Sequence, residues 1–339
     1  MQARWRPRLG EALLDRRSLA GLATGRPEAG GPIIAIACDQ TAAHVEDICR
    51  ALAARGATGI PFRLADCAFD ARAPHGLRLP GFAEALPDAV FVRALEGGSF
   101  EAVTRRLGIL HALGGLGLPV ANSAKAMENC VDKSMTGFLL AGHGIATPDA
   151  WAMETRAEAA ALVAQELAHG PLVLKPLFGS QGRGLRLIRA AGDLPEADAV
   201  NGVYYLQRFV HAAGAGFHDH RLLVSRGQVL AAMTRRADDW VVNIKQGGRP
   251  ERFAPPDEMA ALAVAAAAAV GAVFAGVDVI AGTDGAQVIE VNSTPAWAGL
   301  QQVTDFDIAA AVAGELLALV AGPAGGRPSA DGRGRQRVP

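Results

Sequence analysis

Residues 277–292 read Val-Asp-Val-Ile-Ala-Gly-Thr-Asp-Gly-Ala-Gln-Val-Ile-Glu-Val-Asn. Two apolar-rich runs joined by a Thr-Asp-Gly turn restrict the chain to an antiparallel hairpin at this point. With the turn centred on Asp284, Asp278 lies across from Glu290. Opposed Cβ atoms of such a pair sit about 4.5–5.5 Å apart. Asn292 follows two residues later and shares their face, while Val277, Val279, Ile289 and Val291 take the other face. Two facing carboxylates repel unless one takes a proton or a cation bridges them. An all-oxygen set suits Mg²⁺. An isolated Asp–Glu pair on a strand is usually a solvated face. Here the amide of Asn292 and the Ser293-Thr294-Pro295 turn behind it shift the balance toward a metal site at Asp278, Glu290 and Asn292.

A second segment, Lys175-Pro176-Leu177-Phe178-Gly179-Ser180-Gln181-Gly182-Arg183-Gly184, follows an apolar run and precedes another. Glycine admits positive φ and has no Cβ, so the backbone N–H groups of such a loop can approach phosphate oxygens. No Gly-Lys-Ser/Thr ends the loop and a strand follows it, so it is not a Walker A loop. Nor does it have the glycine order of a dinucleotide fold. Three glycines alone are weak evidence. Lys175, however, closes an apolar strand, where an ammonium needs an anionic partner.

Apolar runs at 33–37, 59–64 and 89–93 alternate with helical patterns, which predicts a small open α/β domain over residues 32–122. Two helices with a short break are expected over 123–141. A lobe carrying the glycine-rich loop then runs from 123 to 208, and a second lobe carrying the acidic hairpin from 209 to 321. Residues 1–31 read as a flexible arm and a poor secretory signal, and residues 322–339 as a disordered tail.

Formal net charge is -1, which gives no broad basic surface for nucleic acid. No run approaches the roughly 20 apolar residues of a membrane span. The four cysteines, Cys38, Cys49, Cys67 and Cys130, form no Cys-x-x-Cys pair. They read as reduced thiols of a cytoplasmic protein. The eight histidines offer no triad and no metal pair. His218 and His220 flank Asp219 on a strand and point away from it.

The ordered set Asp132-Lys133, Lys175-Pro176 with Gly179-Ser180-Gln181-Gly182 and Gly184, Gln207 with Phe209-Val210, Asp219-His220-Arg221, Arg235-Arg236, Asn243, Gly276-Val277-Asp278 and Glu290-Val291-Asn292 resembles the RimK-type branch of the ATP-grasp family. It spans roughly residues 32–320. The resemblance implies an α/β chain of the α+β ATP-grasp kind, with two lobes clasping ATP behind a small N-terminal domain. It implies a ligase that joins a carboxylate to an amine through an acyl-phosphate, with glutamate as the default amino acid. A small molecule or peptide would be the acceptor, and a pterin or furan one-carbon cofactor is among those admitted. Lys133 and Lys175 would hold the ATP phosphates, and Gly179, Ser180, Gln181, Gly182 and Gly184 would form a mobile lid. Gln207, Arg208, Phe209 and Val210 would border adenine. Asp278, Glu290 and Asn292 would bind two Mg²⁺ (or Mn²⁺) ions. Arg221, Arg236 and Asn243 would serve the transferring phosphoryl group. A homo-oligomer is left open.

The sequence departs from that branch in two places. His211-Ala212-Ala213-Gly214-Ala215-Gly216 follows the adenine strand, where a charged residue should hold the ribose. Ala296-Trp297 replaces a glycine after Pro295. A kinase of the same fold and a non-catalytic ATP-binding module are the competing functions, and a metal cluster speaks against the latter. An acidic substrate would need a guanidinium beyond Arg221 and Arg236. Arg235, Lys245, Arg249 and Arg93 are available, with Arg93 and Arg249 the two favoured positions.

Overall fold

The computed structural model describes residues 30–39, 43–82, 85–179, 181–214 and 216–322. The expected arm and tail fall outside the described residues except for 30, 31 and 322.

The chain begins with β1 (Ile33–Ala37), α1 (Ala43–Ala53), β2 (Thr58–Phe62), the short pair β3 (Ala68–Phe69) and β4 (Leu77–Arg78), β5 (Ala89–Val92), α2 (Phe100–Gly115) and β6 (Val120–Ala121). Strands β2-β1-β5-β6 form a parallel sheet in that order. β1 and β5 are almost wholly buried, which is why they read as continuous apolar runs rather than as alternation. Strand order reverses between β1 and β5.

Helices α3 (Ala124–Val131) and α4 (Lys133–Gly142) follow. Ser123 caps the first. Asp132 caps the second by accepting from Ser134 N at 2.8 Å and Met135 N at 3.2 Å, which fixes Lys133 at the opening of α4. Next come β7 (Ala150–Met153), α5 (Arg156–Glu166), β8 (Leu172–Lys175), β9 (Arg186–Ile188) and β10 (Tyr204–Arg208). Their sheet, ordered β7-β10-β8-β9, is antiparallel and has its own core, including Val163, Leu172, Leu174, Tyr204 and Leu206.

The third sheet is built from β11 (Phe217–Ser225), β12 (Gln228–Ala237), β13 (Arg249–Arg252), β14 (Phe274–Gly282) and β15 (Gly285–Asn292), in the order β13-β12-β11-β14-β15. Helix α6 (Asp257–Ala269), between β13 and β14, covers one face. Its alanines meet Val277, Val279, Val288 and Val291. After α7 (Ala298–Gln301), helix α8 (Ile308–Ala321) returns to the first sheet and packs beside Ile34, Ile36 and Ile48. One buried amide ties the first and third sheets together. Asn122 Nδ2 donates to the carbonyls of Phe274 (2.5 Å) and Ser293 (2.6 Å), and its Oδ1 accepts from Val273 N (2.8 Å) and Phe274 N (3.0 Å). β13, which carries Arg249, was not visible in the sequence pattern, because Arg-Pro-Glu-Arg has none of the usual strand composition.

Candidate active site

The second and third sheets face each other across an open cleft. Lys133, Lys175, Gly179, Gln181, Gly182, Gln207, Arg208, Phe209, Val210, Asn243, Asp278 and Glu290 all line it. The chain therefore brings most of the expected site residues to one place from six separate segments. Ser180 lies outside the described residues.

Asp278 and Glu290 stand opposite each other, as the sequence pattern predicts, but the route differs. The turn holds two residues, so a regular ladder would set Asp278 against Ile289. A bulge after β14 residue Asp278 skips Ile289 and restores the pairing with Glu290. As a correction to the expected face, Ile289 lines the cleft instead of joining Val277, Val279 and Val291 in the core.

The same device decides between two arginines. The register of β11 and β12 shifts between Leu223 and Val224, so Leu230 is passed over and Asp219 faces Arg235. A one-residue shift exchanges the faces of a strand. Arg235, not Arg236, is thereby turned into the cleft. Arg236 lies on the other face, with Nε 3.2 Å from Glu251. The sequence signal that would have separated them is the bulge, and nothing in Gln228–Ala237 announces it.

Arg221 chelates Asp278 with Nε and Nη2, each at 2.6 Å. Arg235 bonds Asp219 through both its Nε and an Nη, and reaches Asp278 at 2.9 Å. All but Arg221 are nearly inaccessible. Burial works to raise the Asp278 carboxyl, but the two guanidiniums hold it below its usual range.

Two lysines converge on the other wall. Lys175 is half-buried and donates to Gln207 Oε1 at 2.5 Å. Burial lowers its pKa to about 8, opposed by Glu290 and assisted by Lys133. Lys133 donates to the carbonyls of Leu177 (3.3 Å) and Gly179 (3.1 Å) in the loop and lies 3.9 Å from Glu290. Burial lowers its pKa as well. An anion between these ammonium groups would relieve both.

The loop itself bends through positive φ at Gln181 (65°), Gly182 (69°) and Gly184 (74°). Gly182 is pressed against Asn243, so that a Cβ there would overlap the Asn243 amide and lie 2.9 Å from Val241 Cγ1. Gln246 Nε2 reaches Gln181 O at 3.4 Å. The loop is therefore docked on the third sheet's side of the cleft.

At the far end, Phe209 meets Trp240 edge-on with centroids 5.9 Å apart, and Val173, Leu185 and Ile280 supply apolar wall. This is the surface a flat base requires. From the sequence, the loop near Trp240 is expected to help shape the acceptor site; here Trp240 lines the cleft beside Phe209. The strand-following segment contributes Ala212 to the wall, and no carboxylate stands among residues 209–214. Arg208 turns its side chain to Glu166 at 2.5 Å, so its contribution to the cleft is through backbone.

Among the described residues, no three His, Cys, Asp or Glu side chains cluster as a metal site. A divalent ion beside Asp278 would draw on two carboxylates and an amide. Asn292 fits that role: its Nδ2 is buried without a hydrogen-bond partner, and rotating the amide would present Oδ1 instead. Glu290 lies 3.9 Å from the Lys133 ammonium and also acts on Lys175. Such a set leaves coordination positions for phosphate oxygens and water, as Mg²⁺ prefers.

Residues 130–316 match the model of the RimK-like ATP-grasp domain. The chain is 37% identical over 206 residues to the tetrahydromethanopterin:alpha-L-glutamate ligase of Methanococcus maripaludis, covering 59% of this chain and 70% of that one. It is 32% identical over 232 residues to the protein of the same name from Methanocaldococcus jannaschii, covering 66% and 76%. It is also 32% identical over 238 residues to a probable alpha-L-glutamate ligase of Aeromonas salmonicida, covering 66% and 78%. Among solved structures, the ATP-grasp ligase PsnB complexed with a minimal precursor superposes with TM-score 0.67 at 23% identity, over 85% of this chain and 99% of that one. At that identity the likeness speaks for the fold.

Proposed function

Because the chain belongs to the RimK-like ATP-grasp family, we propose that it joins L-glutamate to a carboxylate-bearing acceptor at the expense of ATP, releasing ADP and phosphate. The observation that carries this reading is the meeting, in one cleft, of two half-buried lysines and a glycine-rich loop with the pair Asp278 and Glu290. Relatives named for tetrahydromethanopterin make a reduced pterin with a terminal carboxylate the first acceptor to try.

In this reading the acceptor carboxylate attacks the γ-phosphorus of ATP and ADP leaves. The glutamate amine then attacks the acyl carbon, loses a proton and expels phosphate. Lys133 and Lys175 hold the phosphate chain, and the loop at Gly182 closes against Asn243 to keep water from the acyl-phosphate. Arg221 and Arg235 fix the carboxylate of Asp278 so that it needs no rearrangement when charge moves. Asp278, Glu290 and Asn292 would hold Mg²⁺, one or two ions, which supplies charge neutralisation at the phosphates. Ribose is held without an acid from residues 209–214.

The test is a product assay with glutamate, ATP, Mg²⁺ and tetrahydromethanopterin. ADP and phosphate should appear in step with a glutamylated product. AMP as the stoichiometric product would remove the acyl-phosphate route. ADP formation unaffected by any amine, with a stable phosphorylated acceptor, would make the protein a kinase.

A further inference from the structure

β1 and β5 lie side by side where the first sheet reverses its strand order, and the crevice beyond such carboxyl ends is where open α/β sheets take ligands. Arg93 directly follows β5 at that carboxyl end. It is 5% exposed. Its guanidinium carbon sits 4.5 Å from the centre of the Trp297 ring, with Phe91 at 5.3 Å and Phe274 at 5.7 Å. One Nη donates to the Pro295 carbonyl at 2.6 Å. Nε and the other Nη are buried with no hydrogen-bond partner.

Arg93 and Arg235 are the two arginines more than nine-tenths buried among the described residues. Arg235 has two carboxylates, and no ion pair is found for Arg93 among those residues. Aromatic faces compensate a buried cation in part, but unspent donors on a buried charge are costly. Burial pushes the Arg93 pKa down to about 9, and a bound anion would reverse that. Arg249, the other favoured position, is exposed and already faces Asp238 at 2.9 Å.

Arg93 is also close to the reacting end of the cleft. Pro295, which it holds, packs on Gly276. A Cβ built on Gly276 would lie 2.8 Å from Pro295 Cβ and 3.8 Å from Arg221 Nε. Gly276 in turn pairs with Asn292. One layer of chain therefore separates Arg93 from Arg221 and Asn292.

We propose that Arg93 binds a substrate carboxylate through the donors the protein leaves unspent, and so selects an acidic substrate at the edge of the first sheet. The proposal rests on the ligase reading. The carboxylate belongs either to glutamate or to the acceptor, and kinetics separates the two.

The experiment compares wild type with Arg93→Met and Arg93→Lys. Steady-state rates are taken with glutamate, glutamine and alanine, with tetrahydromethanopterin and with ATP. Glutamate binding to the protein holding ADP and Mg²⁺ is measured by calorimetry. Loss of a charged hydrogen bond should raise one substrate KM roughly 10- to 150-fold in Arg93→Met while the ATP KM stays within about twofold. Arg93→Lys should fall between, because an ammonium keeps the charge but not the planar donors. A rise in the glutamate KM, with collapse of the preference for glutamate over glutamine, identifies the amino acid as the source. A rise in the pterin KM identifies the acceptor. If Arg93→Met does not fold, Arg93→Lys decides the matter. Unchanged substrate KM values in a folded variant, or all KM values including that for ATP rising together with a lower Tm, would overturn the proposal and leave the ligase reading intact. A wild type that binds neither substrate would overturn both.

Discussion

The first and third sheets treat buried charge in opposite ways. In the third sheet Arg221, Arg235, Asp219 and Asp278 are interlocked, each cation against at least one carboxylate. In the first sheet Arg93 is equally buried and is met by three aromatic rings and a single carbonyl. A closed network presents its charges in fixed directions, which suits chemistry that develops charge in a known place. An open one keeps donors that an anion would satisfy. The difference separates a region that is complete before substrate arrives from one that substrate completes.

Breaking the closed network should have the largest effect. Asp278→Asn removes the shared partner of two guanidiniums and one side of the hairpin pair. Turnover should fall at least about 1000-fold, and the uncompensated charges should cost on the order of 3–5 kcal/mol of stability, read from chemical denaturation. Normal turnover at ordinary Mg²⁺ would show that the network is structural only. Next comes Gly182→Val. Its side chain would overlap Asn243 and adopt an unfavourable positive φ. The loop cannot then dock, and kcat should drop about 100-fold for a displacement of the order of 1 Å, with Tm nearly unchanged. Titration of Lys175 is smaller and sharpens the comparison from the phosphate side. Its folded pKa, about 8, lies below the unfolded one, so the ammonium is present below that pH and is lost as pH rises through it. The ATP KM should therefore climb above pH 8, by up to about tenfold per unit, and the climb should vanish in Lys175→Arg. For stability the sign is reversed: this group opposes folding below about pH 8, and the penalty lifts as pH rises from there toward the unfolded value. Arg249→Lys, on an exposed pair, should change every kinetic constant by less than about twofold.

Much of this molecule was legible because its signals are local. The apolar run of β1, the two helices with a break within 123–141, and the strand ending at Lys175 each follow from a few adjacent residues. The pairing of Asp278 with Glu290 was also readable, although through a three-residue turn where the protein uses a two-residue turn and a bulge. The choice of Arg236 over Arg235 had no such luck. A bulge leaves no compositional mark, and one skipped residue at Leu230 turns the whole end of β12 over. β13 was missed because its pairing comes from the neighbouring strand, not from its own residues. The bare guanidinium of Arg93 depends on rings brought from residues 274 and 297, and no window of sequence contains them together.

Asn122 gives the assembly a mechanical character. Four hydrogen bonds from one buried amide rivet the first sheet to the third, and α8 laps the same joint. The second sheet has a separate core and no comparable rivet. Were the cleft to open by a swing of the second sheet, Lys175 would travel with that sheet and the glycine-rich loop would have to leave Asn243, while Arg93 and Asp278 would keep their spacing on the riveted pair. Any ruler that measures the substrate would then be built into the riveted part.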